Sequence, residues 1–160
     1  MKAYIGLGSN LADPQAQVNT AIEALQALPN TIIVKGSSLY MSPPMGPQDQ
    51  PDYINAVVEI ETELSAHHLL DQLQTIEQQQ GRIRKRHWGE RTIDLDLLLY
   101  GEQIIADKRL QIPHPGIALR AFVLYPLAEI APELMIPNMG RIEQLVKQCP
   151  LDGLQQVENN

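Results

Sequence analysis

The sequence predicts an α+β fold, with helices packed on a mainly antiparallel sheet. Strand-like and helix-like hydrophobic periodicities follow one another in the order β-α-β-β-α-β, which is typical of a split βαβ arrangement. Glycine and proline residues separate these segments, and 160 residues suit one domain. We therefore expect a single domain over residues 1–160, with two helices on one face of the sheet and a short helix and frayed tail over about 138–160.

The first half of the chain predicts two strands, a helix and a loop. Residues 3–8 and 31–35 are short strand-like segments. Between them, Asp13 and Pro14 supply an N-cap and a first-turn proline for a helix that should end at Pro29. Helical spacing predicts that this helix buries an apolar stripe of Val18, Ile22, Leu25 and Leu28. The proline-rich stretch 42–47 cannot sustain a helix or a strand ladder, so we expect a loop there.

The second half predicts a longer strand, a second helix and a further strand. Residues 53–63 alternate strictly, with Ile54, Ala56, Val58 and Ile60 on one face, which is typical of a half-buried strand. Residues 66–80 carry an apolar stripe at helical spacing and end before Gly81, a C-cap residue. Residues 93–100 form the next predicted strand, a hairpin-like piece follows at 101–108, and a weaker helix is predicted from near Ala118.

Composition and charge exclude several classes of protein. The chain has 44% apolar and 19% charged residues and no apolar run of the roughly 20 residues that a membrane helix needs. It has one cysteine, Cys149, and no Cys/His spacing for a zinc site, so we expect a protein of the reducing cytoplasm. No strongly hydrophobic surface pattern demands a partner, and we expect a monomer.

The net charge of −7 conceals one basic segment. Residues 82–120 hold eight of the twelve Lys and Arg against five acidic residues, a net of +3, so the remainder of the chain has −10. An acidic body with one basic segment favours the phosphates of a small molecule over an extended nucleic acid. The alternative is a solvated run of charges without a ligand.

Two carboxylates follow this basic segment on a predicted strand. Asp94 and Asp96 are two residues apart, so they share one face, about 6 to 7 Å apart at Cα. Paired carboxylates repel unless a cation offsets their charge, and magnesium bound to substrate phosphates would do so. Arginines followed by paired acids suit phosphoryl transfer, whereas the alternative is an exposed strand face with incidental acids.

Further side chains could contact a planar ligand and a nucleotide. Trp88, in a polar loop, could close over a ligand or simply pin the loop to the body. Tyr53 and Asn55 share a strand face and offer a stacking surface and an amide, although Tyr53 could equally be packing. A flanking stripe of Leu70, Gln74 and Glu77 lies on the second helix and could contact a base. His67 and His68 are predicted to be surface residues, and the standard glycine-rich nucleotide motifs are incomplete or missing.

Several blocks of sequence together resemble the 6-hydroxymethyl-7,8-dihydropterin pyrophosphokinase family of the folate pathway. The strongest is Trp88-Gly89 followed by Arg91-Thr-Ile-Asp94-Leu-Asp96-Leu-Leu. The others occur in the same order as in the family, at residues 8–11, 42–46, 50–55, 113–115 and 120–124. The resemblance covers roughly residues 1–137 and is specific as a combination of blocks.

The resemblance implies a ferredoxin-like fold, two magnesium ions, and transfer of pyrophosphate from ATP to the pterin with release of AMP. It implies that Asp94 and Asp96 hold both metals and act in catalysis together with Arg82 and Arg91. Pterin-binding residues would be Ser42, Pro43, Met45, Tyr53, Asn55, Trp88 and Phe122. ATP-binding residues would be Leu70, Gln74, Glu77, Arg82, Arg84, Trp88, Arg91, Leu97, Arg109, Gln111, Ile112, His114 and Arg120.

The sequence also departs from the family pattern. Glu90 stands where the family most often has proline, and Gly116-Ile117-Ala118 replaces a stretch usually richer in polar or charged residues. Gln111 and Ser42 are variants at ligand-lining positions. These departures bear on loop closure and affinity. The competing hypotheses are another magnesium-dependent nucleotide transferase and a nucleic-acid-binding module, the latter disfavoured by the net charge of −7.

Overall fold

The computed structural model describes residues 1–11, 13–43, 52–81 and 93–157. Within these residues the chain forms ten strands and four helices. In chain order they are β1 (Lys2–Ser9), α1 (Pro14–Gln26), β2 (Thr31–Gly36), β3 (Tyr40–Ser42), β4 (Tyr53–Thr62), α2 (Ala66–Gln79), β5 (Asp94–Tyr100), β6 (Ile105–Ala106), β7 (Gln111–Ile112), α3 (Ala121–Ile130), β8 (Met135–Ile136), β9 (Gly140–Arg141), α4 (Ile142–Gln148) and β10 (Gln155–Gln156).

An antiparallel sheet forms the centre of the molecule. Its strand order is β10-β3-β4-β1-β5, and β2 pairs with β4 beside β3. All of these pairings are antiparallel. Two short hairpins, β6 with β7 and β8 with β9, lie outside this sheet. The predicted α+β class with helices on an antiparallel sheet is confirmed.

The predicted helices α1 and α2 cover one face of the sheet. In α1 the Asp13 carboxylate accepts a hydrogen bond from the amide of Ala16, as expected of an N-cap. In α2 the Ser65 hydroxyl oxygen accepts a hydrogen bond from the amide of His68, so Ser65 is the N-cap of this helix. The sheet side chains facing these helices are those the alternation of β4 predicts, and the helix stripes pack on them. This apolar core includes Ile5, Leu7, Ile54, Ala56, Val58, Ile60, Val18, Leu25, Leu69, Leu73 and Ile76.

The opposite face of the sheet is also covered, so the expectation of helices on one face only was incomplete. A second core forms where α3 and α4 pack against Tyr4, Val57 and Leu98. Strand β4 is therefore buried on both faces for most of its length, and the prediction of a half-buried strand was wrong. Even Glu59 on this face is only 5% exposed, and the hydroxyl of Tyr4 donates to its carboxylate at 3.0 Å, which offsets the cost of burying it.

Three boundaries also differ from prediction. Ser42 belongs to β3, so the proline-rich loop begins one residue later than expected. The helix expected near Ala118 begins at Ala121, after a turn over residues 115–119. The tail is not frayed throughout, because β10 pairs with β3 at the edge of the sheet. Among the described residues, no helix is long and apolar enough to cross a membrane.

Candidate active site

Gly6 and Gly8 of β1 have no side chains, so they leave space over one end of the sheet, on the face that α3 packs against. In the ladder between β1 and β5, Gly6 pairs with Asp96 and Gly8 pairs with Asp94. On its other side Gly8 pairs with Asn55 of β4, and an ideal Cβ at Gly8 would lie 3.1 Å from Nδ2 of Asn55. Any larger residue would crowd that amide, so the glycine leaves room for Asn55 and for a ligand above the sheet.

A cleft of about 430 Å³ lies over this opening. It is bounded by β1, β3, β4 and β5 together with helix α2 and the start of α3. The cleft brings together most of the predicted site residues that the structure describes: Ser42, Pro43, Tyr53, Asn55, Leu70, Gln74, Glu77, Asp94, Asp96, Arg120 and Phe122.

A second cavity of about 250 Å³ adjoins the cleft. Its lining includes the predicted residues Leu97, Arg109, Gln111 and His114. The two cavities share Leu70, Leu95 and Asp96, so Asp96 stands at their junction. The structure thus separates the predicted pterin residues from several of the predicted nucleotide residues and places a carboxylate between them.

Some predicted residues do not line either cavity. Ile112 is 2% exposed and packs in the core beside α2, without lining the cavities found among the described residues. A further group lies outside the described residues: Met45, Arg82, Arg84, Trp88, Glu90 and Arg91. Their predicted roles remain predictions.

The two strand carboxylates have the geometry that the spacing predicts. Asp94 and Asp96 are both half-buried and line the cleft. Leu95 lies between them and Leu97 follows Asp96, and both leucines are buried in the apolar core beneath α1 and α2. The described residues contain no cluster of three or more acidic, histidine or cysteine side chains that could hold a metal. Magnesium is often bound through one or two carboxylates plus phosphate oxygens and water, so this donor set fits that ion.

A hydrogen bond orients the amide of Asn55 at the aromatic end of the cleft. The Ser42 hydroxyl donates to Oδ1 of Asn55 at 2.7 Å, and both residues are buried. Because Oδ1 accepts this bond, the Nδ2 hydrogens are the donors directed toward Gly8 and the cleft. Tyr53 and Phe122 also line this end, so it offers aromatic surfaces together with a fixed amide.

Glu77 has a role that the sequence pattern did not predict. Its side chain is 7% exposed, and Oε2 accepts a hydrogen bond from the amide of Leu95 at 2.9 Å. That amide belongs to the edge strand β5, between the two aspartates. Glu77 therefore ties α2 to the segment of β5 that carries Asp94 and Asp96.

His114 is held as a neutral donor beside Asp96. The amide of Gly116 donates to Nδ1 of His114 at 3.0 Å, so the ring proton is on Nε2. Burial lowers the pKa of His114, while the charge of Asp96 raises that pKa and the charge of Arg120 lowers it. Asp96 lines both cavities, with Arg120 beside it in the larger cleft and His114 beside it in the second cavity.

Arg109 is tied to helix α2 at the second cavity. Its Nη2 donates to Oδ1 of Asp71 at 2.6 Å and to Oε1 of Gln74 at 3.3 Å. The hydrogen bond from Arg109 lowers the pKa of Asp71 below its usual range. His67 pairs with Asp107 at 2.7 Å, so a second contact joins α2 to the loop between β6 and β7.

Sequence reasoning missed several functional features of this site. Gly6 and Gly8 belong to the first predicted strand, and the sequence analysis does not assign them the opening that they leave in the sheet face; glycine inside a strand pattern was the available signal. Asp71 and the buried contact between Glu77 and Leu95 depend on contacts distant in sequence, which no local pattern indicates.

Comparisons with known proteins identify the family. Residues 4–132 match the sequence profile of the family described as 7,8-dihydro-6-hydroxymethylpterin-pyrophosphokinase. The chain belongs to this family. It is 58% identical over 146 residues to the Haemophilus influenzae 2-amino-4-hydroxy-6-hydroxymethyldihydropteridine pyrophosphokinase, covering 91% of each chain. It is 47% identical over 156 residues to the Pseudomonas aeruginosa protein of the same name, covering 98% of this chain and 96% of that one.

Solved structures of this family share the fold. A crystal structure of an HPPK-DHPS protein in complex with substrates superposes with a TM-score of 0.71 at 13% identity, covering 92% of this chain and 45% of that chain. The Plasmodium falciparum HPPK-DHPS structure with pteroate gives a TM-score of 0.74 at 13% identity, with coverage of 92% and 44%. The chain thus spans less than half of these structural neighbours. Both cavities lie within the residues that the pyrophosphokinase profile matches.

Proposed function

We propose that this protein transfers the β,γ-pyrophosphate of ATP to the hydroxymethyl group of 6-hydroxymethyl-7,8-dihydropterin, a step of folate biosynthesis. The products are AMP and the pterin pyrophosphate. The observation that carries the proposal is the family match over residues 4–132, reinforced by 58% identity to a named pyrophosphokinase. The site supports it with an aromatic cleft and a second cavity that meet at Asp96.

The larger cleft is the pterin compartment in this proposal. Tyr53 and Phe122 would stack on the ring, and Asn55, fixed by Ser42, would donate to an acceptor on its edge. Pro43 would complete the wall, and Met45 would join it from outside the described residues. A rigid amide gives specificity because a heterocycle without the matching acceptor leaves the buried N–H unpaired.

The second cavity is the nucleoside compartment. Leu70 and Leu97 offer apolar surface, and Gln111 and Arg109 offer polar groups. Arg109 would bind ATP while it is still tied to Asp71, so its net electrostatic contribution is smaller than that of an unpaired arginine. Gln74, which accepts a hydrogen bond from Arg109, would bind ATP together with it. Glu77 would contribute by holding the amide of Leu95. Ile112 would support the second cavity from within the apolar core.

Asp94 and Asp96 would hold two magnesium ions with the phosphates of ATP. When bound, these ions neutralise phosphate charge and orient the transferred group. His114 Nε2 and the Arg120 guanidinium would donate to phosphate oxygens beside Asp96. Arg82, Arg84, Trp88 and Arg91 would complete this end of the site, with Arg82 and Arg91 acting on the transferred group.

The reaction needs alignment and charge stabilisation and no covalent intermediate. The pterin hydroxyl oxygen bonds to the β-phosphorus, the bond from that phosphorus to the α–β bridging oxygen breaks, AMP leaves with that oxygen, and the hydroxyl proton passes to water. The two compartments bring acceptor and donor together at Asp96, so positioning can supply a large part of the barrier reduction.

Further parts of the proposal concern the whole chain. We infer that the fold is the ferredoxin-like split βαβ type, on the basis of β4 lying between β1 and β2 in the antiparallel sheet. We also infer a single pyrophosphokinase domain over residues 1–160, a monomer, and a location in the cytoplasm. Neither a membrane nor a nucleic acid is a proposed partner.

The test measures AMP release from ATP and magnesium by purified protein, with and without 6-hydroxymethyl-7,8-dihydropterin. We expect pterin-dependent AMP in a one-to-one yield with pterin pyrophosphate. Release of ADP, or AMP formation that does not depend on the pterin, would contradict the proposed acceptor and favour another nucleotide transferase. Salt-dependent binding of RNA in place of turnover would favour the nucleic-acid hypothesis.

A further inference from the structure

The turn between β7 and α3 is organised around Gly116. The carbonyl of Gly116 accepts hydrogen bonds from the amides of Leu119 and Arg120 at 3.2 and 3.1 Å. Its own amide donates to Nδ1 of His114 at 3.0 Å. Gly116 is buried, so its backbone groups contact the protein interior and fix the turn from both sides.

The side chain that Gly116 lacks would occupy the place of Arg120. An ideal Cβ at position 116 would lie 2.9 Å from Nε, 3.1 Å from Cδ and 3.1 Å from Cζ of Arg120. Contacts below 3.0 Å are essentially never seen for real Cβ atoms, so any other residue would force the arginine to move. Arg120 thus lies directly over the glycine.

The observed position of Arg120 also places its cation in the cleft. Its Cζ lies 5.9 Å from the ring centroid of Phe122, within the range of a cation–π contact. Arg120 lines the larger cleft together with Asp96 and Phe122. The arginine is therefore held between the turn on one side and an aromatic ring on the other.

We propose that Gly116 is a positioning residue for pyrophosphate transfer, because its missing side chain lets Arg120 fold back over the turn while its amide orients His114. The functional part rests on the proposed function, in which both side chains meet phosphates. One position thus orients two donors at the junction of the cavities.

Gly116 can be replaced without backbone strain. Its φ lies outside the positive range that favours glycine, unlike that of Gly140 or Gly153. Gly116→Ala should therefore fold, and the loss of a flexible residue from the unfolded chain favours stability. The atoms in conflict belong to the far end of a flexible side chain, so Arg120 rather than the backbone is expected to move.

The experiment is a double-mutant cycle of Gly116→Ala and Arg120→Ala in the full chain. We expect Gly116→Ala to raise the melting temperature by about 2 °C more in the Arg120→Ala background than alone, because the clash is then absent. For turnover, we expect Gly116→Ala alone to lower kcat/KM about tenfold and to have almost no effect when Arg120 is already alanine.

A binding measurement separates positioning from a general loss of structure. We expect Gly116→Ala to weaken α,β-methylene-ATP binding with magnesium several-fold in calorimetry, with the pterin KM nearly unchanged. The control is Gly36→Ala at the end of β2, where the added Cβ would lie 3.7 Å from Cγ1 of Val58, an ordinary contact. This variant should keep the kcat/KM of the unsubstituted protein.

Failure of the inference and failure of the proposed function give different results. If the two substitutions change the melting temperature additively, the proposed contact between Gly116 and Arg120 is wrong, whether or not the proposed reaction occurs. If the unsubstituted chain makes AMP with pterin and Gly116→Ala matches it within twofold, the positioning role is wrong while the proposed function stands. If melting temperatures are coupled and no pterin-dependent AMP forms, the contact is supported and the proposed function fails.

Discussion

Removal of the Glu77 carboxylate should loosen the strand that carries both aspartates. Glu77 is 7% exposed, and its Oε2 accepts the hydrogen bond from the Leu95 amide at 2.9 Å. Glu77→Ala leaves that buried amide without this acceptor, which costs about 1.5 to 3 kcal/mol for a bond to a charged group. Loss of one buried methylene adds about 0.8 kcal/mol, so unfolding free energy should fall by about 2 to 4 kcal/mol.

The assay is urea unfolding of Glu77→Ala, Glu77→Gln and a control, Gln78→Ala. Gln78 is exposed on the same helix, so its variant should remain within about 0.5 kcal/mol of the unsubstituted protein. Glu77→Gln keeps an acceptor oxygen for the amide of Leu95 and should recover most of the stability lost in the alanine variant. At 25 °C, where every variant is folded, kcat/KM should fall about tenfold for Glu77→Ala.

The result that would refute this reasoning is specific. If Glu77→Ala unfolds at the same urea concentration as Gln78→Ala, the buried bond to Leu95 does not stabilise the edge of the sheet. If Glu77→Gln is as unstable as Glu77→Ala, the negative charge and not the acceptor geometry is what β5 requires.

Three further predictions test other parts of the molecule. Asp96→Asn should lower kcat by about a hundredfold or more with a small change in melting temperature, and retention of half the activity would contradict its place at the junction. Phe122→Ala should raise the KM for the pterin about tenfold in steady-state kinetics; an equal rise for ATP would contradict the division into compartments. Burial and the neighbouring carboxylates raise the pKa of Tyr4 and Tyr40 well above 10, so stability present below pH 10 should be lost as the pH rises further. Absorbance at 295 nm should show a late ionisation phase above pH 10 that includes Tyr4 and Tyr40, and Tyr40→Phe should reduce that phase by one phenol; a titration complete near pH 10 would refute this.

Local sequence patterns predicted the parts of the fold that depend on local physics. The cap at Asp13 and the apolar stripes at helical spacing were sufficient for α1 and α2, whereas the Ser65 cap of α2 emerged only from the structure. Strict alternation was sufficient to assign which side chains of β4 face those helices. These features are encoded within a few residues, so a single sequence reveals them.

Strand pairs between distant residues were not predictable in the same way. Strands β3 and β10 pair over only two residue pairs, and their partners are more than a hundred residues apart in sequence. The polar contacts that hold this edge also come from afar, because the Glu129 carboxylate accepts from Ser38 and Tyr40, and Gln156 donates to Ser38. No local periodicity indicates such contacts, so the tail was expected to be frayed.

The candidate site was predictable in its chemistry and less so in its setting. Spacing alone placed Asp94 and Asp96 on one face, whereas the ligand sets of the two compartments came from the family resemblance. The structure adds Gly8, Gly116 and the contact of Glu77 with the Leu95 amide, each of which acts through a neighbouring side chain or amide. Positioning residues of this kind carry no chemical signature of their own, so their role emerges only from contacts.

The start of α3 determines where the site lies on the sheet. The α3 face of β4 is buried at Val57 and Glu59 but lines the cleft at Tyr53 and Asn55, although all four share one alternation pattern. Helix α3 is almost entirely apolar, a composition typical of a helix covered on most sides, and this was the available signal for a second core. Because helix α3 begins only at Ala121, it does not cover the end of the sheet at Tyr53 and Asn55, and the cleft lies over that end.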